Sequence, residues 1–412
     1  MRLLLISILI LGIFEIHIYP QISEYSFVSA VFPNYAIAKN NLLGIGNLGF
    51  DSEDAFYNPK YNFLDHNEVA IFLSTNSLIS STSKIDLNNN QVDIFKGKFI
   101  TSPNISLQYT YYEYTFYLQY FNDLLLKNFA PTGTWSKHIY SLTGEYMYSA
   151  HEPEFLITNQ VFQIAISRKI IDDLSISIGL LTNFYQNKQT YGELTEDISS
   201  DNFDNYQILV TINYNSKIFS LYLLYKSQVD PKRLGPELIK LNDEIEYYNN
   251  SIISFPGILG YGLQYQIWKP FKISLEMQHD FLNTKFNYEY NRAPSEVWDR
   301  SGEFSHNIFN NKIVFGINYS SPIDLEIGFL YSKYLKYDID VDKRINYFPP
   351  LPKLDNINLY SLSFEYTYLK WLFNLAYQNS SAVYYRDEFS EGAAQSTKNN
   401  YQSLKVGLGF KF

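Results

Sequence analysis

The sequence predicts an all-β, transmembrane antiparallel barrel of about fourteen strands. Three observations carry this: strict two-residue hydrophobic alternation in many segments, connections that are alternately short and long, and an aromatic terminal residue, Phe412. Composition agrees. Among 412 residues, aromatics make up 18% and charged residues also 18%, below the roughly 25% charge of ordinary soluble domains. A wall that faces lipid on one side needs less charge and more Tyr. The net charge of -10 argues against nucleic acid, whose phosphates require a basic patch. The absence of cysteine suits an oxidising compartment.

The N-terminus reads as an export signal over residues 1–21. Arg2 supplies the positive start, Leu3 to Phe14 are apolar, and Glu15 and His17 break the run. That run is shorter than the roughly 20 residues a spanning helix needs. Cleavage is expected near Gln21 to Ser23; an uncleaved anchor is the alternative. No later segment offers a transmembrane helix.

Alternation is clearest at the end of the chain. Leu404, Val406, Leu408, Phe410 and Phe412 share one face, and Ser403, Lys405, Gly407, Gly409 and Lys411 the other. Tyr360 to Tyr368, Ile323 to Tyr331 and Leu174 to Leu180 alternate in the same way. This is the period of a strand, and it lacks the three- and four-residue spacing of a helix. The same reading places strands near 67–75, 103–111, 114–123, 157–169, 173–187, 203–216, 218–228, 257–267, 270–286, 311–319, 322–336, 357–368, 370–380 and 401–412. Short connections contain Tyr112-Glu113, Ile170 to Asp172, Lys217, Trp268-Lys269, Ser320-Ser321 and Leu369. Long ones span 76–102, 124–156, 188–202, 229–256, 287–310, 337–356 and 381–400. An even strand number with short turns at one end and long loops at the other is the pattern of a bacterial outer-membrane barrel. A soluble sandwich or propeller shares the alternating strands but has no need of that regularity, and no internal repeat supports a propeller. The face opposite the lipid is polar with a minority of large apolar residues, among them Phe72, Tyr117, Leu209, Tyr222, Leu224, Val314, Leu330 and Leu372. Such a lining suits a narrow, plugged conduit for amphipathic molecules; side chains that merely fill the lumen would give the same residues.

Residues 22–65 precede the barrel proper, assigned to 66–412. They include Gly44, Gly46, Gly49, Phe50, Phe56, Tyr57, Asn58 and Pro59. Three glycines so close together mark a backbone that bends sharply or packs tightly, and Asn58-Pro59 marks a turn. An ordinary flexible loop would look similar. The Gly-x-Gly-x-x-Gly spacing also mimics a dinucleotide fingerprint, but no strand–helix–strand unit surrounds it.

The stretch from Leu42 to Pro59, LLGIGNLGFDSEDAFYNP, resembles the N-terminal signature of the FadL-like outer-membrane transporters of long-chain fatty acids and other hydrophobic compounds. Phe255 to Gln266 and Gly407 to Phe412 resemble further family patches. The resemblance implies a fourteen-stranded barrel whose N-terminal segment folds inside as a hatch, with Gly44, Gly46, Gly49, Phe56, Tyr57, Asn58 and Pro59 as gating residues. It implies passive diffusion of hydrophobic small molecules across the bacterial outer membrane, without cofactor, metal or catalysis. Lys60 stands where the family has Ala. PorV-type barrels, which serve secretion of cargo proteins, form a sister branch of the same family, so a secretion-system partner is the alternative implication.

Other chemistry is sparse. The six histidines are scattered without metal-ligand spacing. His279-Asp280, with Asp299 and His306, is the one grouping that invites comparison with barrel hydrolases, and solvated rim groups explain it equally well. Pro231 to Glu244 is expected to form a short loop helix with Leu234, Leu238 and Leu241 on one side, a candidate ligand-capture site. Phe410 and Phe412 are expected to belong to the signal read by the barrel-assembly machinery. Removing Phe410 to Phe412 should therefore abolish membrane insertion, measured as the heat-modifiable, folded fraction in outer-membrane preparations.

Overall fold

The computed structural model describes residues 68–85, 91–100, 103–129, 138–140, 146–148, 154–191, 194–199, 206–233, 237–240, 246–249, 252–255, 257–290, 300–341, 353–385 and 396–412. Fourteen strands form the wall. They are β1 (Val69–Ile85), β2 (Asn104–Tyr111), β3 (Tyr114–Phe129), β4 (Glu154–Ile171), β5 (Leu174–Tyr191), β6 (Tyr206–Asn215) and β7 (Phe219–Lys226). The second half comprises β8 (Gly257–Trp268), β9 (Phe271–Tyr290), β10 (Arg300–Ser320), β11 (Leu325–Val341), β12 (Lys353–Tyr368), β13 (Trp371–Tyr385) and β14 (Ser396–Lys411). Each pairs antiparallel with the next. Strand β14 returns to β1, from Ala70 opposite Lys411 to Ile85 opposite Ser396, and closes the ring. Phe412 lies just beyond β14, and its N–H donates to the Val69 carbonyl at 2.9 Å.

Alternation becomes burial. Along β2, residues from Asn104 to Tyr111 are buried and exposed in strict turn. The outward face is a continuous apolar band. On β14 it runs through Leu408, Val406 and Leu404, all exposed. Phe410 bounds the band at one end and Gln402 at the other. With about 3.4 Å per residue and a tilt of about 40°, those bounds lie roughly 20 Å apart along the barrel axis. Aromatic rings gather near the short turns. Trp371 and Phe410 meet at 4.5 Å, Phe410 and Phe412 at 4.9 Å, Trp268 and Phe271 at 5.1 Å, and Phe271 and Tyr319 at 5.0 Å. This is the girdle that amphipathic rings form where hydrocarbon meets headgroups. At the opposite edge, outward Tyr hydroxyls find polar partners: Tyr120 donates to Gln160 at 2.5 Å and Tyr331 to Asn358 at 3.0 Å.

The turns fit their task. Tyr112-Glu113 and Leu369-Lys370 are two-residue hairpins whose first central residue has positive φ, 51° and 55°. Turns of this hand follow the right-handed twist of the flanking strands. Beside the β4–β5 turn, the Lys169 ammonium lies 2.8 Å from Asp172, and this hydrogen bond and the charge behind it lower the carboxyl's pKa.

Four expectations are corrected. The connection 76–102 is not all loop: β1 continues to Ile85, and the strand Gln91–Ile100 folds back on it. Strand β10 likewise begins at Arg300, inside the span 287–310 assigned to a loop. In these extensions polar residues fall at both parities, as in Asn76-Ser77 and Ser80 to Ser83 of β1, so the backbone pairs without a hydrophobic alternation. The described residues of Pro231 to Glu244 are not helical. Strands Val229–Arg233 and Glu237–Lys240 stand there, paired with Ile252–Phe255 and Glu246–Asn249. Pro231 and Pro236 interrupt helical hydrogen bonding, whereas Ile239, Tyr247 and Tyr248 favour a strand. Lastly, the β10–β11 turn occupies Ser321 to Asp324 instead of Ser320-Ser321.

The register sets a test. Val406 is midway between the two edges of the band, so Val406→Arg should cost about 2–4 kcal/mol of stability. Leu408→Arg, nearer the girdle, should cost less. Gly407 faces the lumen, where an added Cβ would lie 2.6 Å from the Phe72 ring, so Gly407→Val should act by displacing that ring. Urea unfolding in lipid vesicles reads all three.

Candidate functional site

The inward residues of the fourteen strands line one lumen. Its surface is mostly neutral and polar. Ser74, Asn104, Ser106, Gln119, Asn159, Gln163, Thr211, Gln264, Asn318, Asn374 and Gln378 are all buried. Charged groups are fewer: Lys226, Glu276, Asp280, Lys312 and Lys405 are buried on the same face. Against this background Phe72, Phe121, Val161, Leu181, Leu209, Tyr222, Leu224 and Ile258 form an apolar cluster, with Leu372 packed on it. Every large apolar lumen residue read from the sequence is on the inner face; Tyr117 packs separately with Ala165. The cluster lies chiefly on β3 to β8, where buried amides such as Gln119, Asn159, Gln163 and Gln207 flank it; four of the five buried charged groups, Glu276, Asp280, Lys312 and Lys405, lie on β9 to β14. The lumen thus presents an apolar cluster set among polar side chains.

The polar groups are organised by register. Asn159 donates to Asn183 at 2.9 Å, Asn183 to Gln207 at 3.1 Å, and Gln207 to the Ser227 carbonyl at 2.6 Å. A second chain runs from Asn122 through Asn104 to Ser74, and Ser403 bonds Asn76 across the β14–β1 seam. Tyr222 donates to the Glu276 carboxyl at 2.8 Å. Between their strands is Gly262, where a Cβ would stand 2.5 Å from Tyr222 and 2.7 Å from Glu276; the glycine makes room for the contact. Both amide atoms of Gln163 and of Asn374 are buried without a protein partner. A buried polar atom left unpaired costs about 1–3 kcal/mol. The lumen is therefore suited to hydrogen-bonding contents as well as apolar ones.

The residues named from sequence divide sharply. Gly44, Gly46, Gly49, Phe56, Tyr57, Asn58 and Pro59 lie outside the described residues, as do Leu234 and Leu241. Leu238 belongs to the strand Glu237–Lys240. Phe410 faces outward in the girdle. His279 and Asp280 are on opposite faces of β9. The imidazole points out, 2.5 Å from Asn311 and 3.2 Å from Tyr261. Asp280 points in and accepts from Gln278 at 2.7 Å. Strand alternation therefore separates the one pair that suggested hydrolysis. Among the described residues no three His, Cys, Asp or Glu side chains gather to hold a metal. Sequence reading passed over Tyr222–Glu276, because a lone Glu at an inward position gives no signal until the register sets Tyr222 beside it. Tyr222→Phe should cost about 1–3 kcal/mol, the worth of a buried hydrogen bond to a carboxyl, measured by urea unfolding with the wild-type slope retained.

No family model matches the sequence, and no curated protein matches it. Solved structures do. A FadL homologue from Pseudomonas aeruginosa superposes with TM-score 0.58 at 9% identity, covering 96% of this chain and 99% of its own. The P. putida toluene transporter TodX gives 0.53 at 10%, covering 88% and 94%. A deltaS2 mutant of TodX, a monoaromatic hydrocarbon channel, gives 0.58 at 11%, covering 88% and 95%. Likeness over whole chains at such low identity is likeness of architecture, and it meets the sequence resemblance at that level: this chain has the fourteen-stranded barrel fold of the FadL homologue and TodX.

Proposed function

We propose that this chain carries hydrophobic small molecules, fatty-acid-like or aromatic, across the bacterial outer membrane by passive diffusion, with residues 22–65 as a hatch inside the barrel. The lumen carries this reading. An apolar cluster is set among polar and a few charged groups, so a molecule with an apolar body and a small polar group finds a surface for each. Resemblance of fold to a FadL homologue and to a toluene transporter supports the same substrate class.

The hatch follows from width. A barrel of about eight strands is just filled by its own side chains, and one of fourteen needs something further to seal it. Residues 22–65 are attached at the short-turn end, where β1 begins. Gly44, Gly46 and Gly49 would let this segment lie close to the wall, and Phe56 and Tyr57 would offer apolar surface to a passing ligand. Asn58-Pro59 would fix its exit into β1. Residues 1–21 direct export and are removed, and the assembly machinery inserts the barrel. The concentration gradient of the ligand is the only driving force the mechanism needs. Neither catalysis nor a cofactor enters it.

Deleting residues 24–58 should make the barrel conduct small ions in planar bilayers, where the intact protein stays closed. Substituting Asn58 or Pro59 should slow uptake of a hydrophobic fluorescent probe while the folded fraction holds. A deleted form that conducts no better than the intact one would remove the hatch, and a shuttle for secreted cargo would then be the better reading.

A further inference from the structure

Phe72 on β1, Tyr117 on β3 and Tyr222 on β7 are buried on the lumen face. The register sets all three at one height. The paired row through Phe72 runs on through Gln119 and Leu181 to Gln207 on β6. The β6–β7 register carries it to Gln228, six strands on and six residues (228 − 222) loopward of Tyr222. The row through Tyr222 in turn runs on through Glu276, Ser332 and Ser380 to Ser80 on β1. That is eight strands on and eight residues (80 − 72) loopward of Phe72. The stagger of the closed barrel is thus one residue per strand, and positions displaced by that amount are level. Phe72 and Tyr222 are therefore level and almost opposite each other. Tyr117, two strands on and two residues turnward of Gln119, is level with both.

The rings lie along the wall. A Cβ on Gly407 would stand 2.6 Å from the Phe72 ring and one on Gly409 3.2 Å from it; Gly262 and Gly260 seat Tyr222 in the same way, at 2.5 and 3.4 Å. Tyr117 packs on Ala165. Unpaired polar atoms share this height. Ser177 on β5, Ser274 on β9 and Asn374 on β13 are level by the same stagger, and their hydroxyl and amide atoms are buried without a protein partner. Among the described residues, the charged groups on the lumen face within two residues of the level are Glu276, Glu326, Glu365 and Lys272, a negative balance.

We infer, on the transport reading above, that this level is a ligand-contacting section selective for neutral planar molecules, an aromatic body bearing a hydroxyl or amide group, over carboxylates. The three rings offer stacking surface to the body. Ser177, Ser274 and Asn374 offer its polar group the hydrogen bonds that they otherwise leave unmade. The surplus of carboxylates at this height repels an anion.

Naphthalene, 2-naphthol and 2-naphthoate share one ring system and separate these contributions. Their binding to the full chain in lipid nanodiscs at neutral pH, with empty nanodiscs subtracted, should favour 2-naphthol over 2-naphthoate about tenfold, the equivalent of one hydrogen bond or one close charge. Equal affinity, or no binding of either, would overturn the selectivity. Replacing Ser177, Ser274 and Asn374 together by Ala should weaken 2-naphthol about tenfold and leave naphthalene unchanged. Equal losses for both probes, or none, would make the three polar groups structural only. Phe72→Leu with Tyr222→Leu should weaken naphthalene and 2-naphthol alike, and unchanged naphthalene binding would remove the rings from the site. Uptake of a hydrophobic fluorescent probe by cells, measured in parallel, tells the two readings apart. Uptake without the 2-naphthol preference sinks this section alone, and the preference without uptake sinks transport alone.

Discussion

Everything in this molecule depends on one requirement: in hydrocarbon, each backbone N–H and C=O must find a partner within the protein. A sheet meets it only by having no edge. The pairing of β14 with β1 is therefore the condition on which the other thirteen pairings become usable, and its register is unbroken from Ala70 to Ile85. Once the ring is closed, each strand has one face in lipid and one in the lumen, and the two faces come under different selection. The outer face is dominated by Leu, Ile, Val, Phe and Tyr. The inner face is free to vary.

That freedom is where function can reside. Hydrophobic burial in the lumen is confined to a minority of its side chains, because most large apolar groups are on the outside. Rigidity instead comes from the ladder and from side-chain bonds across adjacent strands, such as the amide series Asn159–Asn183–Gln207. An amide series of this kind fixes side-chain direction with little bulk beside the apolar cluster from Phe121 to Ile258. Geometry thus separates support from contact: strands hold the wall, neutral amides orient its lining, and a few aromatic and aliphatic groups offer surface.

The fold was legible because lipid enforces the pattern that sequence reading detects. All fourteen wall strands lie where alternation put them, and β2 matches almost residue for residue. Legibility ended where lipid ended. The far parts of β1 and β10 pair as strands with serines and asparagines at both parities of the sequence, and no periodicity announces them. Leucines 234, 238 and 241 have helical spacing, yet the described residues around them pair as strands, because prolines and aromatic neighbours outweigh three-residue spacing. Lumen contacts were illegible for a different reason. Tyr222 and Glu276 are 54 positions apart, and only the register of β7, β8 and β9 makes them neighbours. The split of His279 from Asp280 could have been read from strand parity alone.

The β14–β1 seam also has a kinetic meaning. Ser403 and Asn76, bonded across it, are 327 residues apart in the chain. Closing so long a loop is thermodynamically mild, since each doubling of length adds only about 0.6 kcal/mol, but it demands a search that short hairpins avoid. The hairpins from β2 to β13 can each form from near neighbours. The ring cannot exist until the last 16-residue strand arrives and finds the first. Until then two ladders of unpaired amides stand open, and any other strand edge, including that of a second nascent copy, competes for them. The pace of maturation is therefore set by one long-range encounter, and the hazard of misassembly is concentrated in the interval before it.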